Sequence, residues 1–141
     1  MFEKVEGKTK TMWLPVTTST VIALNSLVAW DSGYLIAATS TSDPSVIAGV
    51  SKIVIAATDS DYADDRLIPV EVPLENGVVW KAAVTSGLVV ADRGLYMDLT
   101  DAVTVNRAAS TYDVVQCLKV LSTTSGHFVV NMGLNGCGVI A

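Results

Sequence analysis

The sequence predicts an all-β protein: a small β-barrel or β-sandwich of short antiparallel strands with an extended N-terminal arm. Three observations carry this. No stretch of the 141 residues sustains a helical period. Short runs rich in Val, Ile, Thr and aromatic residues recur, and β-branched side chains favour a pleated strand. Turn residues separate these runs at regular spacing, as in sandwiches and barrels.

Residues 45–58 are the stretch around which the rest is organised. Ile47, Ile53 and Ile55 share one strand parity, and Val46, Val50 and Val54 share the other. Both faces are apolar, as expected of a strand buried between two layers. Gly49 interrupts it and marks a bulge or a tight bend, as at a barrel corner.

In chain order, residues 1–17 read as an arm, polar at first and then reaching Met12-Trp13-Leu14-Pro15. Phe2, Val5, Met12 and Trp13 are the candidate partner contacts. They either pack back on their own domain or cross to a neighbouring subunit. Residues 18–132 form the β domain. Thr20–Leu24 and Leu27–Trp30 are short strands, and Asp31-Ser32-Gly33 turns into Tyr34–Ala38. A Ser/Thr/Asp/Pro loop over Thr39–Pro44 precedes the central strand, and a polar, acidic loop over Asp59–Arg66 follows it.

Leu67–Val72 is a strand whose Pro69 and neighbouring Pro73 make it an edge strand or an irregular one. Asn76-Gly77 is the strongest hairpin signal and introduces Val78–Val84. Asp92-Arg93-Gly94 joins Leu88–Ala91 to Leu95–Leu99 as a second hairpin. Asn106–Ser110 is a brief helical turn. Tyr112–Leu121 and His127–Met132 form the last hairpin, and residues 133–141 are a flexible Gly-rich tail. No internal repeat stands out.

Composition bounds function. Half the residues are hydrophobic and only 16% are charged, so some apolar surface requires a covering partner or copy. Mean hydropathy is +0.47. A net charge of −5 and scattered lysines argue against nucleic acid. No apolar run is long enough to span a bilayer, and residues 1–8 have no secretory h-region. Cys117 and Cys137 have no metal or redox spacing and are expected as reduced thiols, made in a cytoplasm.

Signals for chemistry are weak. Asp59, Asp61, Asp64 and Asp65 could offer oxygen ligands to Ca²⁺, but without EF-hand spacing a solvated loop is favoured. A Cys117–His127 nucleophile fails on register. If Leu121 faces His127, Cys117 faces Asn131, roughly 13 Å along the ladder. Glu71 with Glu75, and Asp98 with Asp101, are local carboxylate pairs beside turns. Trp13, Trp30 and Trp80 are either a carbohydrate platform or packing residues, with packing favoured. The expectation is no catalytic residue, no cofactor and no metal.

Ile47-Ala48-Gly49-Val50 after a polar turn, and the run Val89–Met132, form a series that is similar to known proteins. That run contains Gly94–Thr100, Ala108-Ala109-Ser110 and Tyr112–Ser122. Over roughly the last two-thirds of the chain it resembles the small capsid decoration, or cement, proteins of tailed bacteriophages. The resemblance implies a barrel-like domain that forms a homotrimer, binds the major capsid protein on the outside of the head and ties capsomers together. It implies no catalytic residue. The alternative is a β module of a phage tail or virion that recognises a host glycan.

Overall fold

The computed structural model describes residues 1–131 of an all-β chain. Its strands close into two small five-stranded barrels. The first contains β2 (Thr9–Val16), β3 (Leu27–Asp31), β4 (Tyr34–Ala37), β5 (Ile47–Ser51) and β6 (Arg66–Pro73). The second contains β7 (Val79–Val84), β8 (Tyr96–Asp101), β9 (Thr104–Asn106), β10 (Val115–Ser122) and β11 (Ser125–Val130). β1 (Glu3–Glu6) lies outside the second barrel, antiparallel to β7.

The two barrels have the same strand order. Around the first it runs β2-β4-β3-β5-β6, and around the second β7-β9-β8-β10-β11. Each closes with a short parallel pair, Val16 with Leu35 and Val84 with Val105. The amide after each closing Val reaches the same partner carbonyl: Thr17 N–H donates to Leu35 O at 2.9 Å, and Thr85 N–H to Val105 O at 3.0 Å. Left-handed backbone recurs at matched positions, Ser19 (φ 55°) with Gly87 (φ 75°) and Asn25 (φ 57°) with Gly94 (φ 87°).

The repeat is legible once the topology aligns it: Val16-Thr17-Thr18-Ser19-Thr20-Val21-Ile22-Ala23 against Val84-Thr85-Ser86-Gly87-Leu88-Val89-Val90-Ala91. Sequence reading missed it because the similarity is short: four of these eight pairs are identical, Val16/Val84, Thr17/Thr85, Val21/Val89 and Ala23/Ala91.

β3 and β5 form a wall between two cores. Leu27, Ala29, Ile47 and Val50 pack with Phe2, Trp80, Met97 and Phe128. Val28 and Ala48, from the same strands, pack with Val16, Leu35, Ile68 and Val70. Every residue of β5 is buried, which accounts for its two apolar faces. Gly49 lies opposite Val28, where the β3–β5 register slips, and its missing Cβ lets Glu71 O and Val70 approach. The strand is shorter than the 45–58 expected. After Ser51 only Ile55 returns to a ladder, as a bridge to Ile22, and Val54 is exposed.

Several expectations are corrected. Residues 1–17, expected as an extended arm, pair within the chain: β1 lies along β7 outside the second barrel, and β2 is a strand of the first barrel. β6 is not an edge strand: β2 pairs along its whole length and β5 along part of it. Pro69 is tolerated because its carbonyl accepts Lys52 N–H at 3.0 Å, so its ring nitrogen points the same way, past the end of β5. Asn76-Gly77 does turn the chain, with Gly77 at φ 81°, but it links the barrels and joins no hairpin. Turn chemistry reverses a chain without choosing its partner strand.

Leu88–Ala91 is no strand either; Val90–Asp92 is a 3₁₀ turn held by the Asp92 carboxylate on Val89 N–H. Asn106–Ser110 is a turn without helix. The tail expected over 133–141 lies outside the described residues, as does Cys137.

Candidate functional site

Two surfaces hold the groups available for recognition. The first is the outer face of β2 and β6. Alternation along β2 sends Leu14 and Val16 toward the first core and leaves Trp13 and Pro15 on the other side. Across the ladder Trp13 faces Pro69, and Pro15 faces Leu67. Trp13 is 62% exposed and Leu67 is 56% exposed. Tyr34 extends the patch: it lines a shallow cavity of about 170 Å³ with Pro15, Val16, Asp65, Arg66 and Leu67. The result is an apolar face on a closed barrel, bordered by the Asp61–Arg66 ion pair.

Of the four residues expected to contact a partner, the structure removes one and separates the rest. Phe2 is fully buried beside Trp80 and the β3–β5 wall, and its N–H donates to Asn25 O at 2.7 Å. It is a core residue, because β1 brings it under the end of the second barrel. Val5 is exposed on β1. Met12, 40% exposed, shares the parity of Leu14 and Val16 and lies opposite Val70. Trp13 alone joins the apolar face. Leu67, Pro69 and Tyr34 were missed, since only the β2–β6 register and the parallel β2–β4 closing pair bring them there. Alternation in Leu67–Val72 was the available signal.

The second surface is a groove of about 520 Å³ on the second barrel, lined by Tyr96, Arg107, Ala108, Ser110 and Asp113 among others. Two buried carboxylates fix its walls. Asp98 accepts the N–H groups of Thr111, Tyr112 and Asp113 at 2.9, 2.7 and 2.9 Å. Asp92 accepts Arg107 Nε at 2.7 Å and Nη2 at 3.2 Å, and Val89 N–H at 2.8 Å. The Arg107 hydrogen bond, with that of Val89, holds the Asp92 carboxyl below its ordinary pKa, and the same bond raises that of Arg107. The guanidinium is thus oriented with donors to spare.

Chain comparisons add no assignment: no protein-family model matches the sequence, and no curated protein matches it.

The remaining candidates for chemistry are dispersed. Asp59 caps Ala56 N–H at 2.9 Å, and Asp61 pairs with Arg66. Among the described residues no cluster of three or more His, Cys, Asp or Glu is placed to hold a metal. Glu71 binds Thr9 Oγ1 at 2.7 Å and lies near Lys4 and Lys52, whereas Glu75 accepts Lys8 N–H. Asp101 accepts Val103 N–H. Trp80 is buried, Trp30 packs against the first core and Trp13 is outside, so the three tryptophans share no face.

The Cys117–His127 register differs from the expected one. Ser122 pairs with Ser125, a bulge falls between Cys117 and Lys119, and Cys117 faces Phe128. Cys117 is buried among the second core's side chains, and that burial raises its thiol pKa. His127 follows the opposite parity, between Lys81 and Lys119.

No helix among the described residues is long and apolar enough to cross a membrane.

Proposed function

We propose that this protein is a structural fastener of a virion, a capsid decoration protein that binds the major capsid protein on the outer head surface. It acts there as a homotrimer after synthesis in the host cytoplasm. One observation carries the reading: Trp13 and Leu67, with Pro15, Pro69 and Tyr34, make an exposed apolar face on a barrel closed by backbone pairing. A rigid face loses little entropy on docking. Its large side chains supply the kind of anchor that dominates interfaces. Three linked copies turn weak contacts into a strong attachment, because each later contact forms at high effective concentration. The acidic balance suits an outer surface away from packaged nucleic acid.

The Trp13→Ser/Leu67→Ser double variant tests this by co-sedimentation with expanded empty heads of its virus. Both side chains are exposed, so the melting temperature stays within about 2 °C while occupancy falls at least about tenfold. Undiminished occupancy refutes the assignment of this face.

The groove on the second barrel favours a second reading, recognition of a neutral host glycan. An exposed aromatic ring, Tyr96, stands with a hydroxyl, a carboxylate and an oriented guanidinium, which suits a sugar's apolar face and hydroxyl rim. A glycan array with the purified chain separates the readings. Binding that Tyr96→Ala abolishes would favour this one, and a blank array the fastener.

A further inference from the structure

The internal repeat provides its own control for an open sheet edge. In the second barrel, the edge of β7 beside its closing pair is occupied. β1 runs antiparallel to it, with Glu3 opposite Lys81, Lys4 opposite Trp80 and Glu6 opposite Val79. Phe2, at the start of that strand, is buried beside Trp80. In the first barrel the matching strand is β2. Val16 matches Val84, so Thr11, Met12 and Trp13 match Val79, Trp80 and Lys81. Here β2 pairs with β4 only at Val16, and no other strand among the described residues lies along Thr9–Leu14 on that side. Met12 stands where Trp80 stands, but Trp80 is 1% exposed and Met12 is 40% exposed.

The groups on this edge can be named. Thr17 N–H points to β4, and Lys8 O accepts Leu74 N–H on the opposite side, at 2.8 Å. Backbone direction alternates along a strand, so the amides and carbonyls of Thr9, Thr11 and Trp13 face the open edge. An unpaired row of this kind is a template for another strand.

We infer that the β2 edge, Thr9–Trp13, receives an extended segment of a different protein. The segment adds an antiparallel strand there and sets one large apolar side chain over Met12, as β1 and Phe2 do in the second barrel. A second copy fits poorly. Its own β1 is already paired, and β2-to-β2 pairing puts Lys8 and Lys10 of both copies on one face, where like charges repel. Those same lysines, exposed on an otherwise acidic chain, favour acidic residues at alternate positions of the incoming strand. This is the strand-addition mode, in which main-chain bonds give affinity and alternate side chains give specificity. It deepens the fastener reading and rests on it only for the partner's identity as a shell subunit.

The probe is a synthetic peptide of residues 1–8, Met-Phe-Glu-Lys-Val-Glu-Gly-Lys, added to the full chain. Amide hydrogen exchange is followed residue by residue. The expected result is at least about tenfold slower exchange at Thr11 and Trp13 with saturating peptide. A peptide carrying Phe2→Ala protects less. Thr11→Pro, which removes only a donor facing the open edge, abolishes protection with the melting temperature kept. Unchanged exchange at Thr11 and Trp13 overturns the inference. So does protection that rises with protein concentration without peptide, which would mark a second copy. No shell enters the measurement, so its failure leaves the apolar-face test standing, and the reverse also holds.

Discussion

Phe2→Ala lowers the stability of the isolated chain by about 3–5 kcal/mol, the usual cost of emptying a fully buried phenylalanine site. For a domain of this size that is a fall in melting temperature of roughly 10 °C or more. The side chain is 0% exposed and fills the space between the second barrel's Trp80 and the β3–β5 wall of the first. The cavity cannot collapse easily, because β1 is fixed on both sides of it. Phe2 N–H is bonded to Asn25 O, and Lys4 is opposite Trp80 on β7. A urea or thermal melt of the chain alone checks this. A melt unchanged from wild type would mean that Phe2 belongs to a free arm after all.

Gly49→Ala is expected to cost at least about 3 kcal/mol, and urea unfolding of the variant measures it. A Cβ built at Gly49 would lie 2.5 Å from Glu71 O and 2.7 Å from Val70 Cγ1. The first of these is backbone of the neighbouring strand, so relief requires moving β6 away from β5. β5 also serves both cores, with Ile47 and Val50 on one side and Ala48 on the other, so a shift there disturbs two packings at once. Gly33→Ala is the control. Its Cβ would meet nothing within 4 Å, and only the left-handed backbone (φ 87°) resists it, at about 1 kcal/mol. A cost for Gly49→Ala no greater than that of Gly33→Ala would show that close approach is not the reason for Gly49.

Much of the local structure was legible. The Asp31-Ser32-Gly33 turn, the strands on either side of it, the acidic loop and the burial of residues 47–51 on both faces follow from side-chain branching, alternation and turn preference. These are short-range properties, and a sequence states them directly. The candidate surface was half legible. Met12 and Trp13 were visible as large apolar groups on a poorly hydrophobic segment. Phe2 looked the same and turned out to be core, because exposure depends on which sheet a segment joins. Leu67 and Tyr34 were not visible as parts of the same face as Trp13, since two different strand pairings, β2–β6 and β2–β4, bring them there.

By itself the sequence determined that the chain is β throughout, where most of its turns fall, and that one strand is apolar on both sides. Tertiary structure alone decided that there are two barrels, that Asn76-Gly77 links them, that Phe2 lies beneath the second, and that Cys117 faces Phe128. The physical reason is that strand pairing is a long-range choice. Backbone hydrogen bonds are the same for every partner, so the partner is selected by which buried faces fit together, and a one-residue bulge suffices to change the answer.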